Sequence, residues 1–221
     1  MGEGLSPEEA RKFYDGFGTK QDAQRFYEDV ATNDLLAKAG FEKAKRVFEY
    51  GCGTGRFARR LLTEYLPKEA TYLGVDISPK MVEIAQGRIK GWPDRAAVRV
   101  AGEEPKLELS SGECDRFVSN YVFDLLRPEY LRVVVGEARR ALAEDGKLCL
   151  VSLTYGEKPL RKAVAWVWER IYRLRPQLVG GCRPIRLRDY LPEAEWKIEY
   201  RNMVSAFGIS SEIVIAGPIK Q

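Results

Sequence analysis

The chain has 221 residues, 45% of them hydrophobic, with 36 Lys+Arg against 32 Asp+Glu, a formal charge of +4 and no histidine. That length and balance describe one globular domain with at most a small appendage, and they exclude a disordered chain. Without histidine, Ser-His-Asp and Cys-His catalysis, HExxH zinc sites and His-ligated haem are excluded, so any chemistry must run on carboxylates, Tyr, Lys, Arg, Cys, backbone groups or a cofactor.

Residues 1 to about 44 read as helix. Ser6-Pro7-Glu8-Glu9 is a start signal: a Ser cap, Pro at the first helical position and acids that complement the helix dipole. A second helix is predicted over Gln21 to Ala39, closed by Gly40. These residues form an expected N-terminal helical cap over 1–44, and 45–221 form the main domain. The polar start lacks the apolar core of a secretory leader, and no apolar run approaches the ~20 residues of a membrane span. Cys52, Cys114, Cys149 and Cys182 are far apart and make no CxxC pair, which argues against a zinc ribbon or redox motif. A cytoplasmic setting and no bound metal are the expectations.

From Val47 the pattern alternates. Val47 to Tyr50 is a predicted strand, Arg56 to Tyr65 a helix, and Thr71 to Val75 a strand ending at Asp76. Ser78-Pro79 opens a helix to about Lys90, and Ala97 to Ala101 is a strand. Arg116 to Ser119 is a strand, Pro128 to Ala143 a helix, and Gly146 to Leu153 a strand. Strict alternation argues for a parallel sheet covered on both faces, with ligands at the C-terminal edge of its strands. Trp196 to Val204 and Glu212 to Ala216 are separated by too little chain for a crossover helix, so they are predicted to pair antiparallel.

The sharpest motif is Glu49-Tyr50-Gly51-Cys52-Gly53-Thr54-Gly55, between a strand and a helix. Three glycines in five residues let the backbone approach a ligand closely. The dinucleotide fingerprint G-x-G-x-x-G does not fit, because Arg56 stands where its third glycine belongs. The P-loop fails as well, because no Gly-Lys-Ser/Thr follows.

The acid-x-G-x-G-x-G pattern and the strands around it resemble the class I S-adenosylmethionine-dependent methyltransferases, of the small-molecule and quinone-biosynthesis type. The match runs well from about Val47 to Leu153 and loosely at both ends. The resemblance implies a Rossmann-like α/β fold with a seven-stranded, mostly parallel sheet, an antiparallel C-terminal strand pair and helices on both faces. It implies S-adenosylmethionine as cofactor and S-adenosylhomocysteine as product. Gly51, Cys52, Gly53 and Gly55 match the loop around the methionine part of the cofactor, and Glu49 matches the acid that faces its ammonium. Asp76 matches the acid that chelates the ribose diol. Ile77 and Met81 match apolar residues on the adenine, Met81 being equally compatible with plain core packing. Glu103 or Glu104 falls where the family often carries Asp toward the adenine amino group. Ser119 matches the fourth-strand position that faces the methionine. In the family, N-terminal segments often fold over the cofactor, so Tyr14 or Tyr27 is expected to reach it or the acceptor.

The stretch Ser119-Asn120-Tyr121-Val122-Phe123-Asp124 lacks the Pro-Pro bracket of enzymes that methylate base amines, so the acceptor is expected to be a small molecule. If a base is needed, Asp124 is the candidate, with Tyr121 as its orienter; the alternative is that Asp124 caps the following turn. Residues Gly156 to Arg201 hold 11 Lys+Arg and 6 Asp+Glu, and they contain a helical stretch rich in Trp and Arg. Within that expected lid insertion, about 156–195, three readings compete. The helix is a substrate lid, an interfacial helix for a lipid-like acceptor, or a nucleic-acid patch, in falling order. A non-catalytic cofactor-binding protein is the alternative from another class.

Overall fold

The computed structural model describes residues 4–18, 21–22, 25–102, 104–156, 166–168, 170–172, 174 and 181–219. Helix α1 (Pro7–Phe17) starts as its sequence dictates. Ser6 Oγ accepts from the Glu9 N–H at 3.2 Å, and Glu9 Oε2 accepts from the Ser6 N–H at 2.7 Å, a reciprocal capping box. Helix α2 (Arg25–Lys38) follows, and Gly40 terminates it in the left-handed conformation, φ 67°.

Strand β1 (Arg46–Tyr50) then opens the alternating region. It is followed by α3 (Arg56–Arg60), which runs on through a wider π-helical turn over Leu61–Tyr65, and by β2 (Thr71–Asp76). Helix α4 (Pro79–Ile89) is capped by Ser78, whose Oγ accepts from the Met81 N–H. The remaining elements are β3 (Ala96–Val100), β4 (Cys114–Asn120), α5 (Pro128–Ala141), β5 (Leu142–Leu153), β6 (Trp196–Ala206) and β7 (Ile209–Pro218).

The seven strands form one sheet in the order β3-β2-β1-β4-β5-β7-β6. Pairs among β1 to β5 are parallel, and β7 is antiparallel to both β5 and β6. The sheet predicted from alternation is therefore the one observed. Strand order reverses between β1 and β4, which opens a crevice at their C-terminal ends.

Alternation along each strand sorts the core into two layers. Val47, Val118, Cys149 and Val151 face α2, α3 and α4. Phe48, Phe117, Leu148 and Leu150 face α5 and the segment around Leu187 and Leu191. The first layer also takes in α2, which lies within the expected N-terminal segment 1–44. Tyr27, Ala31, Leu35, Leu36 and Ala39 of α2 are buried in the same core as the sheet, so α2 is one of the sheet's covering helices. Among the described residues, α1, Gln21 and Asp22 lie over the sheet edge. Most of the predicted lid, 157–165, 169, 173 and 175–180, lies outside the described residues. Its described helical part turns Trp168 and Tyr172 inward, with Trp168 Nε1 donating to the Cys182 carbonyl at 2.9 Å.

Candidate active site

The glycine loop leaves β1 at the reversal point. Gly51 and Cys52 both donate their N–H groups to the Val75 carbonyl, at 2.8 and 3.0 Å, which folds the loop back against β2. Gly51 has φ 77°, and a Cβ there would lie 2.3 Å from Val122 Cγ2, so no other residue fits. Gly53, with φ 52°, leaves room for a different neighbour: a Cβ would meet the Gln21 Oε1 at 2.9 Å.

Two cavities open at this edge. Both are bordered by Gln21, Gly51, Asn120 and Tyr121, so they meet over the loop. The first runs outward along the end of β2. Its walls are largely apolar, from Pro7 and Ala10 of α1, Ile77, Leu125 and Leu126, with Tyr14, Tyr50 and Tyr130 around them. Asp76 is its carboxylate. One Asp76 oxygen accepts from the Gly53 N–H at 2.8 Å and the other from the Ser78 N–H at 2.9 Å. Burial pushes its pKa up to about 6, against these two hydrogen bonds.

The second cavity is charged. Glu49, Glu28 and Asp22 line it together with Arg56 and Arg60. Glu49 is buried at the end of β1 and accepts from the Tyr72 hydroxyl at 2.5 Å. Burial nevertheless raises its pKa to about 7. Burial raises Glu28 to about 7 as well, opposed by Arg56, whose Nη2 lies 3.4 Å from Glu28 Oε2. Asp22 is tied into the wall: Arg88 pairs with it at 2.5 Å, and the Thr54 hydroxyl donates to it at 2.8 Å.

Tyr121 joins the cavities. Its φ of 55° is unusual for a residue with a side chain and stores about 1–2 kcal/mol of strain. The strain is held by its N–H donating to the Val151 carbonyl at 2.8 Å and its hydroxyl hydrogen-bonding Ser211 Oγ at 2.8 Å. Burial keeps its hydroxyl protonated well above the ordinary tyrosine range.

Glu49, Gly51, Cys52, Gly53, Asp76, Ile77, Tyr14 and Tyr121 thus border one or both cavities. The other residues singled out in the sequence fall elsewhere. Asp124 is 0% exposed and, among the described residues, borders neither of these two cavities. Its Oδ2 accepts from the Leu153 N–H at 3.1 Å and its backbone carbonyl from the Arg183 N–H at 3.0 Å, so it pins the end of β5 to the returning lid segment. Tyr27 is 4% exposed and packs its ring edge-on to Tyr121 inside the core. Met81 is fully buried, in keeping with its core-packing alternative. Gly55 serves helix packing, since a Cβ there would lie 2.9 Å from the Ala85 backbone. The Ser119 hydroxyl donates to the Tyr50 carbonyl within the sheet. Glu104 borders a separate groove against Leu73 and Val75, and Glu103 lies outside the described residues.

Sequence reasoning missed Gln21, Glu28, Arg60, Asn120 and Tyr130. Glu28 follows Tyr27 directly, about 100° round the helix, and both are turned inward, whereas a charged residue reads by default as solvated. Nothing local marks Gln21, because its neighbour Gly53 is 32 positions distant. Among the described residues, no cluster of acids and cysteines could hold a metal ion, and no helix is long and apolar enough to cross a membrane.

Residues 48–148 match the family model for a methyltransferase domain. A malonyl-[acyl-carrier protein] O-methyltransferase of Paenibacillus sp. is 31% identical over 158 residues, 66% of this chain and 54% of that protein. The chain spans 30 to 60% of the length of the curated relatives it matches. In three dimensions it is similar to a chain of the Haloferax volcanii complex between the Trm112 methyltransferase activator and a methyltransferase. The TM-score is 0.75, at 14% identity, covering 96% of this chain and 98% of that one. A [4+2]-cyclase, SpnF, has the same fold, with TM-score 0.71, 15% identity and 97% coverage of both chains. The fold thus serves more than one chemistry, and the sequence match to the methyltransferase domain is what narrows it. By that match, its fold and its glycine loop, the chain is similar to the class I S-adenosylmethionine-dependent methyltransferases.

Proposed function

We propose that the chain binds S-adenosylmethionine across the two cavities and transfers its methyl group to a small-molecule acceptor. The observation that carries this reading is the junction itself: an apolar cavity with one carboxylate, Asp76, meets a charged cavity over a glycine loop whose Cβ positions are already filled. The residues fit the cofactor. Asp76 would hold the ribose hydroxyls, Ile77 and the tyrosines would cover the adenine, and the acids and arginines of the second cavity match a zwitterionic amino-acid end. When bound, the cofactor supplies a methyl group already activated on a sulfonium.

The chain's own share is positioning and charge. Gly51 admits the ligand to the backbone, and α1 excludes water from the first cavity through Pro7, Ala10 and Tyr14. Tyr121, at the junction, would orient the acceptor with a hydroxyl that stays protonated. With no histidine, and with Asp124 locked beneath the surface, the reading favours an acceptor that attacks without losing a proton in the same step. A carboxylate is such an acceptor, and two of the curated relatives are named for methylating malonyl-[acyl-carrier protein]. A cytoplasmic setting agrees with four cysteines that form no disulfide.

Calorimetric titration with S-adenosylhomocysteine tests the reading. Binding is expected at micromolar affinity, about −8 kcal/mol. Asp76→Ala should weaken it by about 2–3 kcal/mol, since a charged acceptor and two loop anchors are lost together. No binding by the native chain would refute the proposal.

A further inference from the structure

Gln21 is a group at the junction to which the reading above gives no role. It borders both cavities, and its carboxamide lies directly over Gly53 of the loop. Its Oε1 is buried and has no hydrogen-bond partner among the described residues. A buried carbonyl oxygen without a donor is costly, and such an atom at a cavity wall marks a place where a donor is meant to arrive. The neighbouring residue fixes it there. Asp22 is held by the Arg88 guanidinium at 2.5 Å and by the Thr54 hydroxyl at 2.8 Å, and Thr54 belongs to the glycine loop itself. Gln21 is therefore anchored to the loop it covers.

We propose that Gln21 reads the amino-acid end of the cofactor, its Oε1 accepting a hydrogen bond from the ligand's ammonium group. The inference rests on the cofactor reading above and adds a residue to it. The ammonium is a donor of matching kind, and it would arrive on the side where Glu49 and Glu28 already supply negative charge. A neutral carbonyl there adds a directed hydrogen bond without adding a third buried charge to two acids whose pKa values are already raised. Gly53 is what makes this possible, because any side chain at that position would occupy the carboxamide's place.

Two ligands separate this role from a general one. S-adenosylhomocysteine carries the amino-acid end, and 5′-methylthioadenosine has the same adenosine and thioether without it. Gln21→Ala should lower affinity for S-adenosylhomocysteine about tenfold and leave affinity for 5′-methylthioadenosine unchanged. Gln21→Asn, which keeps a neutral carboxamide on a shorter stem, should restore part of the loss. Equal loss for both ligands, or no loss for S-adenosylhomocysteine, would overturn the proposal. Thermal unfolding of both variants without ligand should match the native chain; a large drop would make Gln21 a structural strut and also overturn it. If the native chain binds neither ligand, the cofactor reading falls and the proposal with it. If it binds both and Gln21→Ala does not discriminate, only the proposal falls.

Discussion

The two cavities share four residues and differ in almost everything else. Among the described residues, the first is walled by aliphatic and aromatic side chains around the Asp76 carboxylate. The second brings three acids and two arginines together. The difference shows how one loop can hold a ligand with two unlike ends. The apolar end is held by area removed from water, which is tolerant of detail. The charged end is held by opposed groups in a low-dielectric setting, which is not tolerant, since burial holds Glu49 and Glu28 above their ordinary pKa while Asp22 is already paired with Arg88. The second cavity therefore stores instability that a ligand relieves, and the first does not.

The largest test of this contrast removes the junction. Gly51→Val forces a β-branched residue into φ 77° and drives its side chain into Val122, 2.3 Å from the nearest atom. It should abolish binding of both ligand ends and cost about 3 kcal/mol or more of stability, read by urea unfolding. Normal binding by this variant would separate the loop from both cavities.

Next in size is Glu49→Gln, where stability and binding should move in opposite directions. Burial raises the Glu49 pKa from 4.5 to about 7 in the folded chain, so folding takes up a proton. The group's contribution is fully present below its unfolded pKa and is lost as pH rises through about 7. Glu28 and Asp124, raised to about 7, and Asp76, raised to about 6, act with the same sign. The ligand-free chain should therefore lose stability from about pH 4 to 7. Glu49→Gln should flatten that slope and stabilise the chain at pH 8 by roughly 1–3 kcal/mol. Its affinity for S-adenosylhomocysteine should fall by about tenfold, because a charged partner for the ammonium is gone. Unfolding curves at pH 5 and pH 8, beside titrations, check both. A variant less stable than the native chain at pH 8 would contradict the stored-instability account.

The smallest effects compare two tyrosines. Tyr14 borders the first cavity, whereas Tyr27 packs against Tyr121 in the core. Tyr14→Ala should weaken nucleoside binding several-fold. Tyr27→Phe, which keeps the ring contact, should leave binding within experimental error, with a stability change of about 1 kcal/mol or less. The reverse ranking would mean that α2, and not α1, covers the ligand.

How far the sequence reached follows the same division between local and distant causes. Strand alternation, the Ser6 and Ser78 caps and the glycine loop are written in neighbouring residues, and each appears in the structure where the pattern put it. Glu49 and Asp76 were legible because they end strands on either side of that loop. Asp124 was not, since its burial depends on Leu153 and Arg183, 29 and 59 positions away. Gly55 looked like a ligand glycine, but its need is set by Ala85 on the next helix. The cap residues were least legible of all. Whether α1 or α2 covers the site is decided by which helix buries its apolar face in the sheet, and both have apolar residues to spare. Tyr14 and Tyr27 carried the same local signal and met opposite fates.

A crystal structure with S-adenosylhomocysteine tests the central claim most directly. The account predicts density that spans the junction, with the ribose within hydrogen-bond reach of Asp76 and the amino-acid end in the cavity lined by Glu49, Glu28 and Arg56. Density confined to one cavity, or with the nucleoside lodged among the acids and arginines, would contradict it.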